Sequence, residues 1–161
     1  LCFYEQISDV ERDQDMTRQA LDALQDVINR FPGTPYARDA RLKIDLTRDH
    51  LAGKEMTVGR FYLRRQQYLA AINRFKSVID NYGDTTHTPE SLFRLVEAYT
   101  ALGLRDEAKR TAAVLGYNYP GSDWYEDAYV FAGISKAERD RQKAEVQAIQ
   151  DSSDKPWWSI W

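Results

Sequence analysis

The chain has 161 residues, 43% hydrophobic and 29% charged, with a formal net charge of −3, the proportions of ordinary globular protein. No run approaches the ~18 to 20 consecutive apolar residues of a transmembrane helix, and an acidic excess without any basic run argues against a nucleic-acid partner. The one cysteine, Cys2, has no second thiol to pair with and reads as a small apolar core residue.

In chain order, Leu1 to Ile7 read as the inside of an amphipathic helix. The sequence is therefore expected to be part of a longer chain, with any signal peptide or lipid anchor upstream. Only 8 glycines and 5 prolines interrupt the sequence, spaced between long runs of three-to-four-residue apolar periodicity, which predicts an almost wholly helical protein. Three segments align without gaps: Ala20-Leu24-Val27-Phe31-Pro32, Ala71-Phe75-Val78-Tyr82-Gly83 and Ala108-Ala112-Leu115-Tyr119-Pro120. Each has a small residue, apolar residues on the same helical face, then an aromatic and a helix breaker. That form is the second helix of a tetratricopeptide repeat. The first helix appears as Val58-Gly59-x-x-Tyr62 and as Leu92, Leu95 and Tyr99, with Val96 where glycine is usual. Small residues at these positions let two helices cross closely.

Ala20 and Ala71 are 51 residues apart, whereas Ala71 and Ala108 are 37 apart. Thr34-Pro35 is a helix start, and nothing stops the pattern before about Arg65, so one helix of roughly 30 residues and ~45 Å is predicted. Its apolar face is expected at Ala37, Ala40, Ile44, Leu51, Val58 and Tyr62. Further helices are expected from Gln67 to Tyr82, from Thr88-Pro89 to Gly103, from Asp106 to about Asn118, and from a Ser122-Asp123 cap to about Ala132. The predicted fold is an all-α tetratricopeptide-like solenoid of helical hairpins, about three repeats plus C-terminal helices. Residues 1–133 form the repeat domain, 134–150 a charged helix and 151–161 a tryptophan-rich tail.

Catalytic chemistry has little support. His50 and His87 lie far apart, and there is no glycine-rich phosphate loop, nucleophile elbow or paired metal-ligand motif; no catalytic residue, metal or cofactor is assigned. The long helix is the better candidate, because Arg38, Asp39, Arg41, Lys43, Asp45, Arg48, Asp49, His50, Lys54 and Glu55 give its outer face both signs of charge. Such a run is often only a solvated face. Around an apolar stripe that its own repeat leaves uncovered, it also suits a protein partner. Glu55 falls on the apolar stripe and needs either that uncovered setting or a partner cation. Trp157, Trp158 and Trp161 are costly to expose, and they dock on the fold itself, on a partner or at a lipid surface unless the tail is disordered.

Arg12-Asp13-Gln14, Phe31-Pro32-Gly33-Thr34-Pro35-Tyr36-Ala37-Arg38-Asp39-Ala40 and Leu46-Thr47-Arg48-Asp49-His50-Leu51-Ala52-Gly53-Lys54-Glu55 together resemble the BamD family of outer-membrane assembly lipoproteins, also called ComL or YfiO. Tyr68-Leu69-Ala70-Ala71-Ile72-Asn73-Arg74-Phe75 and Leu115-Gly116-Tyr117-Asn118-Tyr119-Pro120-Gly121-Ser122 resemble it too. The resemblance covers roughly residues 1 to 133. It implies a non-enzymatic scaffold of the β-barrel assembly (BAM) machinery on the periplasmic face of the outer membrane, held by a lipid anchor upstream of this sequence. It also implies that the chain holds the last three of about five repeats and lacks the first two, which are implicated in recognising barrel substrates. The implied partners are the periplasmic POTRA region of the barrel component BamA and other BAM lipoproteins. The implied partner-binding residues are Arg48, Asp49, His50, Lys54 and Glu55; where this chain has His50, other branches of the family carry arginine, which implies a weaker, pH-sensitive contact here. The alternative reading is a soluble tetratricopeptide adaptor or co-chaperone that binds an extended peptide in its groove.

Overall fold

A computed structural model describes residues 15–135 together with Ala137, Glu138, Asp140, Arg141, Ala144 and Ala148. The readings for Leu1 to Ile7, for Arg12-Asp13-Gln14, for most of residues 136–150 and for the tryptophan tail lie outside the described residues. Among residues 15–131 six helices follow in order: α1 (Asp15–Arg30), α2 (Pro35–Arg64), α3 (Tyr68–Tyr82), α4 (Thr88–Ala101), α5 (Arg105–Asn118) and α6 (Trp124–Phe131). The fold is all-α among the described residues, and the 30-residue α2 has the length that the 51- and 37-residue spacings require. No described helix is long and apolar enough to cross a membrane.

The start of α2 is fixed locally. Thr34 is extended, its Oγ1 accepts from the Ala37 amide at 3.2 Å, and Pro35 fills the first helical turn, where a missing N–H costs nothing. The end of α2 is less ordinary. The Gln66 N–H donates to Leu63 O at 2.9 Å and the Gln67 N–H to Tyr62 O at 3.0 Å, the paired bonds of a Schellman turn. Gln66 holds the left-handed position of that turn with φ 60°, where glycine is the unstrained choice. Gln66→Gly is expected to raise stability by about 0.5 to 1 kcal/mol, read as a higher denaturant midpoint with an unchanged m-value; a lower midpoint would show that the Gln66 side chain contributes more than its backbone costs.

The chain divides into two compact units, the first ending at Ser91 and the second beginning at Leu92, a boundary inside α4. In the first unit α1 and α3 both pack against α2. The short turns after α1 and α2 set α1 beside the start of α2 and α3 beside its end. This two-sided cover explains why the buried set of α2 differs from the expected stripe. Ala37, Ala40 and Leu51 are buried as expected, but so are Thr47, Ala52, Gly53, Met56 and Gly59, while Ile44, Val58 and Tyr62 are only half-buried. Ala71, Phe75 and Val78 of α3 are fully buried. Gly59 is the tight point of the crossing: a Cβ there would lie 2.5 Å from Phe75 Cε1.

In the second unit α5 packs on α6, and Ala108, Ala112 and Leu115 of α5 are buried. Gly116 is the contact point, since a Cβ there would come within 2.6 Å of both Tyr125 Cε2 and Tyr129 Oη. One start differs from expectation. Asp123 makes no side-chain capping bond and is itself helical in conformation; α6 opens instead through the Tyr125 N–H donating to Ser122 O at 3.1 Å. By contrast α4 starts at Thr88 as expected, and the Thr88 hydroxyl donates to Tyr82 O at the end of α3, at 3.2 Å. After α6, Ser135 and Glu138 form a capping box. The Ser135 N–H donates to Glu138 Oε2 at 2.9 Å and the Glu138 N–H to Ser135 Oγ at 3.3 Å. The described residues beyond it are helical.

Candidate partner surface on the long helix

The five residues that the sequence points to occupy the middle of α2. Arg48, Asp49 and Glu55 are engaged within the first unit. The Arg48 guanidinium grips the turn after α3: Nη2 donates to Asp84 Oδ1 at 2.7 Å and to Asn81 O at 3.0 Å, and Nε donates to Asp84 Oδ2 at 3.2 Å. It also lies over the Tyr82 ring, 5.8 Å from the centroid. Asp49 holds the same turn one step on, accepting at Oδ1 from the Thr86 hydroxyl at 2.7 Å and the Thr86 N–H at 3.2 Å. Its Oδ2 lies 3.6 Å from His87 Nε2. The imidazole fits because residue 53 is glycine; a Cβ there would stand 3.2 Å from His87 Nε2. Glu55 has the partner cation that its position demands, Arg74 of α3, at 3.1 Å.

These bonds make the 83–87 turn an extension of α2. The Arg48 hydrogen bond holds the Asp84 carboxyl below its ordinary value and raises the Arg48 guanidinium above its own. A carboxylate with a depressed folded pKa adds stability that is fully present above its unfolded pKa and is lost as pH falls through the folded one. The Asp84 contribution is therefore present above about pH 4 and disappears below it. Because the carboxylate is largely solvated, its weight is small. Asp84→Asn is expected to flatten the acid limb of stability against pH, leaving a smaller loss of melting temperature between about pH 5 and pH 3. Parallel curves for the two proteins would show that the Arg48 bond persists with a protonated carboxyl.

His50 and Lys54 share a row with two leucines. Leu42, Leu46, His50 and Lys54 follow one another at four-residue steps, which places them in one row along α2. Leu42 and Leu46 are 65% and 61% exposed, although large apolar residues on a helix that is packed by two others are ordinarily covered. Asp39 and Lys43, joined by an ion pair at 2.9 Å, flank the row. Sequence reading named the charged end of this row and missed its apolar end; the i, i+4 leucine pair inside a charged run was the available signal. Among the described residues no group of three or more His, Cys, Asp or Glu is placed to hold a metal.

Paired helices closed on small-residue crossings define a helical-repeat protein of the tetratricopeptide-like kind. Residues 1–115 match the YfiO family, described as outer membrane lipoprotein. The chain belongs to that family, which puts it among the proteins of the outer membrane. It is 64% identical over 129 residues to the outer membrane protein assembly factor BamD of Caulobacter vibrioides, covering 80% of this chain and 42% of that protein. It is 59% identical to the BamD of Rickettsia prowazekii over 80% of this chain and 51% of that protein. The match to the BamD of Neisseria meningitidis serogroup A is 33% over 94% of this chain and 49% of that protein. The chain spans about half the length of these curated relatives.

Proposed function

We propose that the chain is a non-enzymatic scaffold part of an outer-membrane β-barrel assembly factor. In this reading it docks the periplasmic POTRA region of the barrel component, and other lipoproteins of the BAM complex, on the periplasmic face of the outer membrane. The observation that carries the reading is the exposed Leu42–Leu46 pair continuing into His50 and Lys54, on a helix whose turns and neighbours are already fixed by Arg48, Asp49 and Glu55. A preorganised helix face of this kind loses little conformational entropy on binding. Two leucines supply an apolar centre and the flanking charges a polar rim, the anatomy of a protein interface. Arg48, Asp49 and Glu55 then act through position, holding the row straight and the 83–87 turn beside it, while His50 and Lys54 touch the partner.

The test is the affinity of the full chain for purified POTRA region. Replacing both Leu42 and Leu46 with Asp is expected to weaken binding at least about tenfold, with the helical circular dichroism unchanged because both side chains face solvent. Lys54→Glu is expected to act mainly on the association rate and its salt dependence. Equal affinity of wild type and the double leucine variant would remove α2 as the docking surface. Binding lost together with helicity would instead give the two leucines a folding role.

A further inference from the structure

The positive charge of the chain is spread unevenly. Between Glu55 and Asp80 lie 24 residues with five cations, Arg60, Arg64, Arg65, Arg74 and Lys76, and no carboxylate. The rest of the chain therefore carries a net charge of −8, an asymmetry that gives one region of an acidic protein a positive field. Two of the five cations are matched inside the first unit. Arg60 grips Glu90 with bonds of 2.9 and 3.0 Å, and Arg74 meets Glu55 at 3.1 Å. Arg64 and Arg65 make no ion pair among the described residues.

These two arginines stand at the tip of the α2–α3 hairpin, between exposed apolar side chains. Phe61, in the last turn of α2, is 43% exposed, and Leu69, in the first turn of α3, is 70% exposed. The Arg65 guanidinium lies over the Phe61 ring, 4.5 Å from its centroid, and Phe61 meets the half-buried Tyr62 edge-on at 5.7 Å. Gln66 and Gln67 complete the turn without a charge. The first turn of α3 holds no acidic residue, although the start of a helix ordinarily favours one. The tip thus presents two guanidinium groups with no carboxylate beside them in the turn.

Arginines set among exposed aromatic and aliphatic side chains have the chemistry of a membrane-surface contact. A guanidinium takes phosphate oxygens bidentately, aromatic rings settle at headgroup depth, and each Lys or Arg near an anionic lipid surface strengthens binding roughly fivefold. Two observations favour lipid over an acidic protein segment. The exposed apolar side chains flank one chain reversal, so the hairpin offers its end and not a helix face, and the chain belongs to a family described as outer membrane lipoprotein.

We propose that the α2–α3 turn is a lipid-contact site, in which Arg64 and Arg65 bind the phosphates of anionic headgroups while Phe61 and Leu69 enter the headgroup zone. A basic patch of this kind is a second signal that steadies a protein held by a lipid anchor. It also sets which end of α2 faces the membrane, and leaves the Leu42–Leu46 pair up to ~30 Å along the helix from the lipid.

The experiment is flotation of the full chain with vesicles of phosphatidylcholine alone and of equal parts phosphatidylcholine and phosphatidylglycerol, at low and at high salt. Binding is expected to the anionic vesicles only, and less at high salt, where exposed charges are screened. Arg64→Gln with Arg65→Gln is expected to weaken it at least about tenfold, with the helical circular dichroism unchanged. Arg38→Gln with Arg41→Gln removes the same charge from exposed positions near the other end of α2 and is expected to leave binding unaltered. Leu69→Asp, at a side chain already facing solvent, is expected to weaken binding without loss of helicity. No binding of the unaltered chain to the anionic vesicles, equal losses from the two arginine pairs, or indifference to Leu69→Asp would overturn the proposal. Binding to purified POTRA region that is lost with Arg64→Gln and Arg65→Gln, in the absence of any vesicle binding, would overturn it in favour of an acidic protein partner.

Discussion

Replacing Gly59 with Val is expected to destabilise the first unit by about 3 kcal/mol, because the new side chain enters space that the Phe75 ring already fills. The Cβ alone would stand 2.5 Å from Phe75 Cε1, and Phe75, fully buried among Ala71, Ile72 and Val78, has no room to swing. The repeat alignment puts valine at this position in the next repeat. Shifted by the 37-residue repeat, Gly59 corresponds to Val96 and Phe75 to Ala112, and both are fully buried. The large residue has changed helices, so the summed side-chain volume is nearly kept. Phe75→Ala alone is expected to cost about 3 to 5 kcal/mol through the cavity it leaves. The pair Gly59→Val with Phe75→Ala is expected to cost less than the sum of the two, by about 1 to 3 kcal/mol of favourable coupling. Guanidinium unfolding of the four proteins measures that coupling. Additive losses would mean that residues 59 and 75 do not share one packing site.

The second large effect lies at Gly116. Even the single methyl of Gly116→Ala meets the Tyr125 ring and the Tyr129 hydroxyl at 2.6 Å, and both side chains are held. Tyr125 and Tyr129 are buried, with centroids 5.0 Å apart, so neither yields without moving the other. A loss of about 2 kcal/mol is expected, even though alanine is the better helix former by nearly 1 kcal/mol on propensity alone. Hydrogen exchange locates the effect: the α5 and α6 amides are expected to lose protection more than those of α2 and α3. A Gly116→Ala protein that melts at or above the wild-type temperature would show that propensity outweighs the crossing.

The length and boundaries of α2 were legible because they rest on local chemistry, a threonine cap, a proline in the first turn and a repeat spacing too long for an ordinary hairpin. The close crossing at Gly59 was legible for a similar reason, since a small residue at a fixed repeat position has few other uses. The buried face of α2 was only half legible. One periodic stripe describes a helix covered on one side, whereas α2 is covered by α1 and α3 along different parts of its length, so Thr47, Ala52 and Met56 are buried beyond that stripe. The pairing of Arg48 with Asp84, 36 residues away, is a tertiary fact that charge patterning along one helix does not contain. Glu55 was legible as a charge needing a partner, but which cation supplied it was settled by the packing of α3. The Ser135–Glu138 capping box was present as a Ser-x-x-Glu pattern, and it places the start of the last helical stretch one residue beyond Ile134.

The claim on which the functional account depends is that the Leu42, Leu46, His50, Lys54 row meets the assembly partner. Site-specific photo-crosslinking in cells tests it most directly, with a benzoyl-phenylalanine placed at residue 46 and, as control, at Lys76, an exposed position on α3. Adducts with the barrel component from residue 46 and none from residue 76 are the predicted result. Adducts from residue 76 with none from residue 46 would contradict it.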